Sequence, residues 1–184
     1  MAQPPTIYRF TLELAHVDRA IYSSLDLRVA CHPSESPAFM ITRVLAYCFF
    51  YEEGIAFSKG GLSDAEEPAL SVRGLDGAWL AWIEIGNPSA ERLHKATKRC
   101  PRVAVVTHRD PQLLLDELAT RTIHRQQELE LYALDRDLVA ALEPALQRNN
   151  RWQVTFTDEQ LYVVVDSEAF GGSWQKLAAA AERA

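Results

Sequence analysis

The stretch WLAWIEIGNPSAERLHKATKRCPRVAVVT, residues 79–107, contains the pattern that decides the fold. Its first seven residues are mostly apolar and interrupted by one acid, Glu84, which predicts a strand buried on both faces. After a turn at 86–88, Ser89 is placed to cap a helix that reaches about Cys100, and residues 103–107 predict a second buried strand. Because a strand, a helix and a strand in this order form a βαβ unit, we expect the two strands to be parallel.

Before this unit, the sequence predicts a hairpin followed by a long buried helix. Apolar and polar residues alternate in two segments, which is typical of half-buried strands. The predicted strands are 6–14 and 25–31, joined by a loop at 15–24, and two shorter strands at 55–57 and 70–73. Ser34 or Ser36 is placed to cap the helix, Pro37 suits its first turn, and Gly54 is a natural end. Glycine turns are predicted at 60–61 and 74–77.

After this unit, the sequence predicts two more helices around a strand, and then a second hairpin. Asp110 is placed to cap a helix, residues 128–134 read as a strand, and Pro144 predicts a kink in the next helix. Residues 151–166 read as two strands with a turn at Asp158 and Glu159, and the alanine-rich tail from Gly172 reads as a terminal helix. The fold class is therefore α+β: one domain, residues 1–184, with a central mixed sheet flanked by helices and antiparallel hairpins at both ends.

Composition limits the function classes that this chain can belong to. The net charge is −6, which argues against the broad nonspecific nucleic-acid binding of very basic domains. The three cysteines and five histidines are scattered without zinc-ligand spacing, so we expect free thiols in a reducing cytoplasm. Neither a secretory signal nor a membrane-spanning segment is recognisable, so no membrane association is expected. Residues 92–102 are locally basic although the chain as a whole is acidic, because they include five Lys or Arg residues and no acid.

Two glutamates are predicted to meet at one end of the sheet. If the turn at 74–77 closes a hairpin, Glu67 lies just before one strand and Glu84 at the end of its neighbour. A pair of carboxylates at a sheet edge suits Mg²⁺ or Mn²⁺, which can activate water for attack on a phosphodiester. Lys95, one turn into the following helix, is placed to stabilise the developing negative charge. Arg92 and Arg99 share the face of Lys95, so a nucleic-acid backbone could lie along this row.

Each of these residues also has a purely structural interpretation. A glutamate at a strand end is more often paired with an arginine than bound to a metal, and a basic row on a helix is more often a solvated face. Glu52 is then a polar helix end. Ser34 lies close to His32, which is the arrangement of a nucleophile pair. A helix cap is the simpler role for this serine. Residues 32–35 end a strand and open the first helix, so they are also placed to line a cleft.

Several blocks of the chain, in the same order, resemble the bacterial YaeQ family. The blocks are TIYRFTLELAHVDRAIY, ACHPSE, FSKGGLSDAEEPAL, LAWIEIGNPSAERLHKATKRC and WQVTFTDEQLYVVV. The resemblance implies a restriction-endonuclease-like core of the PD-(D/E)xK superfamily, at about residues 34–108, with metal-binding acids on adjacent strands. It places Glu67 at the PD-like position, Glu84 at the second acid and Lys95 as a displaced catalytic lysine. Glu35 and Glu52 are then candidates for the acid of the first core helix.

Two departures from the superfamily pattern leave the activity open. Gly86 stands where the lysine of the strand motif is expected, and Ala69 stands where an acid often follows the proline. One hypothesis is a metal-dependent nuclease or phosphodiesterase. The alternative is a catalytically inactive nuclease fold that binds nucleic acid or protein, with a transcription-related role. Small-molecule chemistry has no support, because the Walker, GxGxxG and GxSxG motifs are all missing from the sequence.

Overall fold

The predicted βαβ unit forms the centre of one large sheet in the computed structural model, which describes residues 5–58 and 66–179. The strands are β1 Thr6–His16, β2 Ile21–Cys31, β3 Ile55–Phe57, β4 Leu70–Arg73, β5 Trp79–Ile85, β6 Arg102–Thr107, β7 Glu130–Leu134, β8 Asn149–Thr157, β9 Gln160–Val165 and β10 Glu168–Leu177. The helices are α1 Pro37–Phe49, α2 Ala90–Arg99, α3 Pro111–Ala119 and α4 Arg136–Leu142. Strands β5 and β6 are parallel, as expected, with α2 as their crossover.

The ten strands form a mixed sheet in the order β2-β1-β8-β9-β10-β7-β6-β5-β4-β3. Three neighbouring pairs are parallel: β1 with β8, β5 with β6, and β6 with β7. The remaining pairs are antiparallel, and the sheet curls into a nearly closed, barrel-like shape. The predicted α+β class with a mixed sheet and helices is therefore confirmed, and so are antiparallel hairpins near both ends of the chain.

The two faces of the central strands pack against different helices. Side chains alternate along a strand, so Ile83 and Ile85 lie in one apolar cluster and Trp82 lies in another. The first cluster, the α1 layer, also includes buried residues of α1 and α4. The second cluster, the α2 layer, includes buried residues of α2 and α3. A polar residue at an even-numbered position of β5 therefore faces α2, and one at an odd-numbered position faces α1.

Helix starts follow the capping signals of the sequence. The hydroxyl of Ser36, not Ser34, accepts a hydrogen bond from the Phe39 amide at 3.2 Å, with Pro37 in the first turn of α1. Ser89 accepts from the Arg92 amide at 3.2 Å, and Asp110 caps α3. Each short polar side chain accepts a bond from an amide that has no partner inside its helix.

Several predicted boundaries are wrong, and each error has a local cause. The loop assigned to 15–24 is mostly strand, because β1 runs to His16 and β2 begins at Ile21, with one 3₁₀ turn at Val17–Arg19 between them. Ala20, with φ of 53°, supplies the left-handed residue that this short turn needs. Helix α1 ends at Phe49, before the predicted stop at Gly54. The predicted turn at 60–61 lies outside the described residues.

The C-terminal hairpin is confirmed, but the predicted terminal helix is wrong over its described part. Strands β8 and β9 are joined by Asp158 and Glu159, both with positive φ. The chain then continues as β10, which pairs with β9 and β7 and buries Trp174. A Cβ atom at Gly172 would lie 2.8 Å from the Cβ of Asp135, so glycine lets α4 approach this strand. Residues 180–184 of the tail lie outside the described part.

Pro144 is predicted to kink its helix, but the helix ends before it: α4 stops at Leu142, and Pro144 lies in a 3₁₀ turn at Glu143–Ala145. Within residues 5–58 and 66–179, every helix is too short or too polar to cross a membrane.

Candidate functional site

The structure brings Glu67 and Glu84 to the same end of the β4–β5 hairpin. Leu70 pairs with Ile83, so the chain entering β4 runs beside the end of β5. One side chain joins the two residues: Arg92 donates from Nε to Glu84 Oε1 at 2.6 Å and from Nη2 to the carbonyl oxygen of Glu67 at 2.8 Å. The two glutamates are therefore within reach of a single guanidinium group.

Glu84 is buried and takes two strong hydrogen bonds on one oxygen. It is 5% exposed, and its Oε1 accepts from the Trp82 indole at 2.6 Å as well as from Arg92. Trp82 and Glu84 project from the same face of β5 because they are two residues apart. A buried carboxylate is costly unless a cation and hydrogen bonds compensate it, and here Arg92 and Trp82 do so.

Glu67 is tied to a different arginine. Its Oε1 lies 3.6 Å from Nη2 of Arg73, and the guanidinium of Arg73 lies over the ring of Trp79, 3.5 Å from its centroid. Each predicted metal ligand therefore has its own arginine. Within the described residues, no three His, Cys, Asp or Glu side chains are grouped closely enough to hold a metal ion. As placed, these donors do not fit Mg²⁺ or Mn²⁺, which need several oxygen ligands around one point.

The basic row on α2 is neutralised by acids, one from α2 itself and two from other parts of the chain. Nζ of Lys95 lies 2.9 Å from Oε1 of Glu91, one turn earlier, and this hydrogen bond lowers the pKa of Glu91. Nη1 of Arg99 lies 2.6 Å from Oε2 of Glu66, and Arg92 binds Glu84. We call this surface the α2 face; its residues are Arg92, Lys95 and Arg99 with Glu84, Glu91 and Glu66. It borders a small cavity of about 170 Å³.

Glu35 lies in the α1 layer, on the other face of β5 from Glu84. Its carboxylate is fully buried and contacts Nη2 of Arg43 at 2.9 Å, and Arg43 also donates to the Ala30 carbonyl at 2.7 Å. Burial raises the pKa of Glu35 although Arg43 opposes that shift, and burial lowers the pKa of Arg43. Glu35, one of the two candidates for the acid of the first core helix, is therefore committed to a separate internal ion pair.

His32 and Ser34 form a closed turn beside that ion pair. The Ser34 amide donates to Nδ1 of His32 at 3.2 Å, and the Ser34 hydroxyl lies 2.7 Å from the same nitrogen. The His32 amide donates to Oε2 of Glu35 at 3.2 Å. Ser34 is exposed and is not the helix cap, since Ser36 fills that position. The turn orients Glu35 toward Arg43.

Glu52 lies near the opposite end of β6 from Glu84. Its Oε1 accepts from Nη1 of Arg102 at 2.9 Å, and Arg102 is the first residue of β6. The β5–β6 register pairs Glu84 with Val105, three residues further along, which corresponds to a displacement of about 10 Å. Glu52 therefore does not join Glu67 and Glu84 at their end of the sheet.

Sequence reasoning missed the partners that complete these clusters. Trp82 could have been found from its position two residues before Glu84 on the same strand face. Arg73 and Trp79 are brought together by the predicted hairpin and pair in its register. No sequence signal points to Glu66 as the partner of Arg99, because 33 residues separate them.

Comparisons with known proteins agree with this fold over nearly the whole chain. The family model described as YaeQ protein matches residues 1–172. The Uncharacterized protein YaeQ of Escherichia coli (strain K12) is 29% identical over 172 residues, covering 90% of this chain and 92% of that protein. The protein of the same name from Salmonella typhi is 29% identical over 169 residues, covering 89% and 90% of the two chains.

Two solved structures are similar in the same way. The crystal structure of YaeQ protein from Pseudomonas syringae has a TM-score of 0.87 and 33% identity, covering 96% of this chain and 98% of that one. The YaeQ protein from Xanthomonas axonopodis pv. citri has a TM-score of 0.85 and 27% identity, covering 94% and 97%. With the family match extending over residues 1–172, the chain is a member of the YaeQ family.

Proposed function

We propose that this protein is a noncatalytic nucleic-acid-binding module, a single domain whose nuclease-like core at about residues 34–108 holds a sugar–phosphate backbone at the α2 face without cleaving it. The observation that carries the proposal is the position of Arg92. Its guanidinium binds both the Glu84 carboxylate and the Glu67 carbonyl, at 2.6 and 2.8 Å. An arginine therefore takes the cation's place between the two residues that a metal site would use.

Replacing this arginine by a metal ion is unfavourable. Arginine stays protonated at all ordinary pH values, so the positive charge beside Glu84 is permanent. A hydrogen bond to a charged group contributes about 1.5–3 kcal/mol, and an entering metal would have to displace the bond to Glu84. A metal would also leave Arg92 next to a like charge. These costs favour the internal ion pair over a metal centre.

The remaining basic residues of the α2 face suit exchange with phosphate. Side chains of Lys95 and Arg99 are 67% and 50% exposed, so their ion pairs are in contact with water. Exposed pairs contribute at most about 1 kcal/mol, which means that a phosphate oxygen can replace a carboxylate at little cost. The guanidinium of Arg73 over Trp79 adds a flat surface of the kind on which bases stack.

A binding assay with a fluorescent 20-nucleotide single strand tests this proposal. Arg99→Gln and Lys95→Gln are each expected to weaken binding severalfold at about 50 mM salt, with a smaller salt dependence. Arg136→Gln removes the same charge from the exposed start of α4 and serves as the matched control. Binding should be equal with EDTA and with Mn²⁺. Metal-dependent cleavage of the strand that disappears in Glu84→Gln would overturn the noncatalytic assignment.

One observation favours metal-dependent nuclease activity as a second candidate: a single side chain spans Glu67 and Glu84. If the Arg92 contacts open when substrate binds, the Glu84 carboxylate is released, and the Glu67 carboxylate must also leave Arg73 before both acids can meet at one ion. Isothermal titration with Mn²⁺ distinguishes the two candidates. The nuclease requires Mn²⁺ binding that becomes tighter in Arg92→Ala and is lost when Glu84→Gln is added. Binding of a transcription-related protein partner, without nucleic acid, would contradict both.

A further inference from the structure

A cluster of arginines lies on the outer face of the sheet, away from α2. Strands β1, β2 and β8 turn apolar side chains inward and polar ones outward, as the alternating burial of β1 and β8 requires. Arg9 of β1 is paired with Arg28 of β2 on one side and with Asn149 of β8 on the other. Arg151 lies two residues further along β8, and Arg148 precedes that strand. We call these four arginines the sheet arginine patch.

The charges in this patch are not balanced by acids. Arg9 and Arg28 are direct cross-strand partners, an arrangement in which like charges repel. Within the described residues, none of the four arginines forms an ion pair with an acid. Two acids project from the same outer face: the Oδ1 of Asp26 accepts a hydrogen bond from Thr11 at 3.0 Å, and the Oε2 of Glu13 accepts one from Ser24 at 2.6 Å. This excess of positive charge occurs in a chain whose net charge is −6.

The patch is concave and partly held in place. Two adjoining surface cavities, of about 500 and 470 Å³, are both lined by Arg9, Arg28 and Asn149. Arg148 donates to the Ile7 carbonyl at 3.3 Å and lies 5.8 Å from the centroid of the Tyr8 ring. These contacts limit its motion, so part of the ordering cost of binding is already met in the free protein.

We propose that the sheet arginine patch binds the sugar–phosphate backbone of a nucleic acid, at a surface distinct from the α2 face. The planar guanidinium group matches phosphate oxygens with two parallel hydrogen bonds, and Asn149 adds a further donor. Bound phosphates also relieve the repulsion between Arg9 and Arg28. An acidic protein segment fits less well, because protein interfaces depend on apolar anchors. Of the described residues lining the two cavities, Ile7 is the one large apolar side chain left exposed.

Fluorescence anisotropy with a labelled 20-nucleotide single strand and the matching duplex tests the patch. The double variant Arg9→Gln/Arg28→Gln is expected to weaken binding about tenfold at low salt. For the single strand, its slope of log K against log salt should fall by about 1.4, since each lost phosphate contact removes about 0.7. Arg136→Gln loses a charge on α4 and should change neither quantity.

Melting temperature separates lost binding from lost folding. Because the double variant removes two repelling charges from an exposed surface, its melting temperature should equal or exceed that of the wild type. A fall in binding together with an unchanged or raised melting temperature assigns the effect to the patch.

Each other outcome overturns the proposal. An equal loss with Arg136→Gln would indicate nonspecific electrostatics. Binding of a poly-glutamate peptide but not of either nucleic acid would assign the patch to an acidic protein partner. If Arg99→Gln weakens nucleic-acid binding and Arg9→Gln/Arg28→Gln does not, the α2 face is the nucleic-acid site and the patch is not. Wild-type binding that is undetectable at about 50 mM salt contradicts both surfaces.

Discussion

Two glutamate–arginine pairs lie on opposite faces of the central sheet, and they differ in their access to water. In the α1 layer, Glu35 and Arg43 have side chains that are 0% and 2% exposed. At the α2 face, the side chain of Glu84 is 7% exposed, but the side chain of its partner Arg92 is 28% exposed. The side chain of Arg43 is almost completely shielded from solvent, whereas that of Arg92 lies on the edge of a cavity.

The comparison shows why similar chemistry has different consequences on the two faces. A fully buried pair must remain intact, because removing one charge leaves the other without compensation. A pair at a cavity edge tolerates the loss of one partner better, because water can enter and compensate the remaining charge. The α1 pair is therefore a structural element, and the α2 pair lies at the edge of the surface where we locate binding. The following predictions test this division, from the largest expected effect to the smallest.

Loss of Arg43 should cause the largest loss of stability. Arg43→Met leaves the Glu35 carboxylate buried without a cation and removes the bond to the Ala30 carbonyl, so the free energy of unfolding should fall by about 3 kcal/mol at pH 7. Urea denaturation measures this change. Adding Glu35→Leu should recover most of it, because both charges are then gone. A single-variant loss below about 1 kcal/mol would mean that the buried pair has little structural role.

Loss of Arg92 should lower the free energy of unfolding by less than loss of Arg43 does. Arg92→Met removes the cation from Glu84, but the Trp82 indole still donates to the carboxylate and solvent can enter from the cavity. We expect a loss of about 2 kcal/mol in the same urea experiment. A cost equal to that of Arg43→Met would contradict the contrast between the two faces.

The loss in free energy of unfolding caused by Arg43→Met should grow as the pH rises. Burial already raises the pKa of Glu35 in the wild type, and removing the opposing cation raises it further. A raised folded-state pKa gives stability that is complete below the unfolded value, about 4.3, and is lost as pH rises through the folded value. The loss should therefore grow from pH 4.5 to 7.5, by about 1.4 kcal/mol per unit of additional pKa shift. A loss of stability that becomes smaller over this pH range would contradict the raised pKa of Glu35 in the variant.

Loss of Arg99 should hardly affect folding. Its ion pair with Glu66 has side chains that are 50% and 72% exposed, so Arg99→Gln should change the free energy of unfolding by less than about 1 kcal/mol. Urea denaturation measures the effect of Arg99→Gln on stability, and the oligonucleotide assay measures its effect on binding. Weakened binding with unchanged stability is expected at the α2 face, and a large stability loss would make this residue structural as well.

Much of the fold was predictable because its signals are local. Ser89 and Asp110 accept hydrogen bonds from amides within three residues of themselves, so the helix starts that they define were predicted correctly. The predicted hairpin at 74–77 also placed Glu67 beside Glu84 correctly. The terminal helix was wrong because an alanine-rich composition was outweighed by pairing of β10 with two strands distant in sequence.

The amino-acid sequence by itself determined the order of elements, the βαβ unit and the meeting of two glutamates at one sheet end. These depend on residue spacing and on short turns, which act over a few residues. The tertiary structure alone decided which arginine each glutamate binds, and it alone placed Arg9 beside Asn149, 140 positions away. Such contacts depend on the register of strands that meet only when the whole sheet closes, because no local pattern specifies a long-range neighbour.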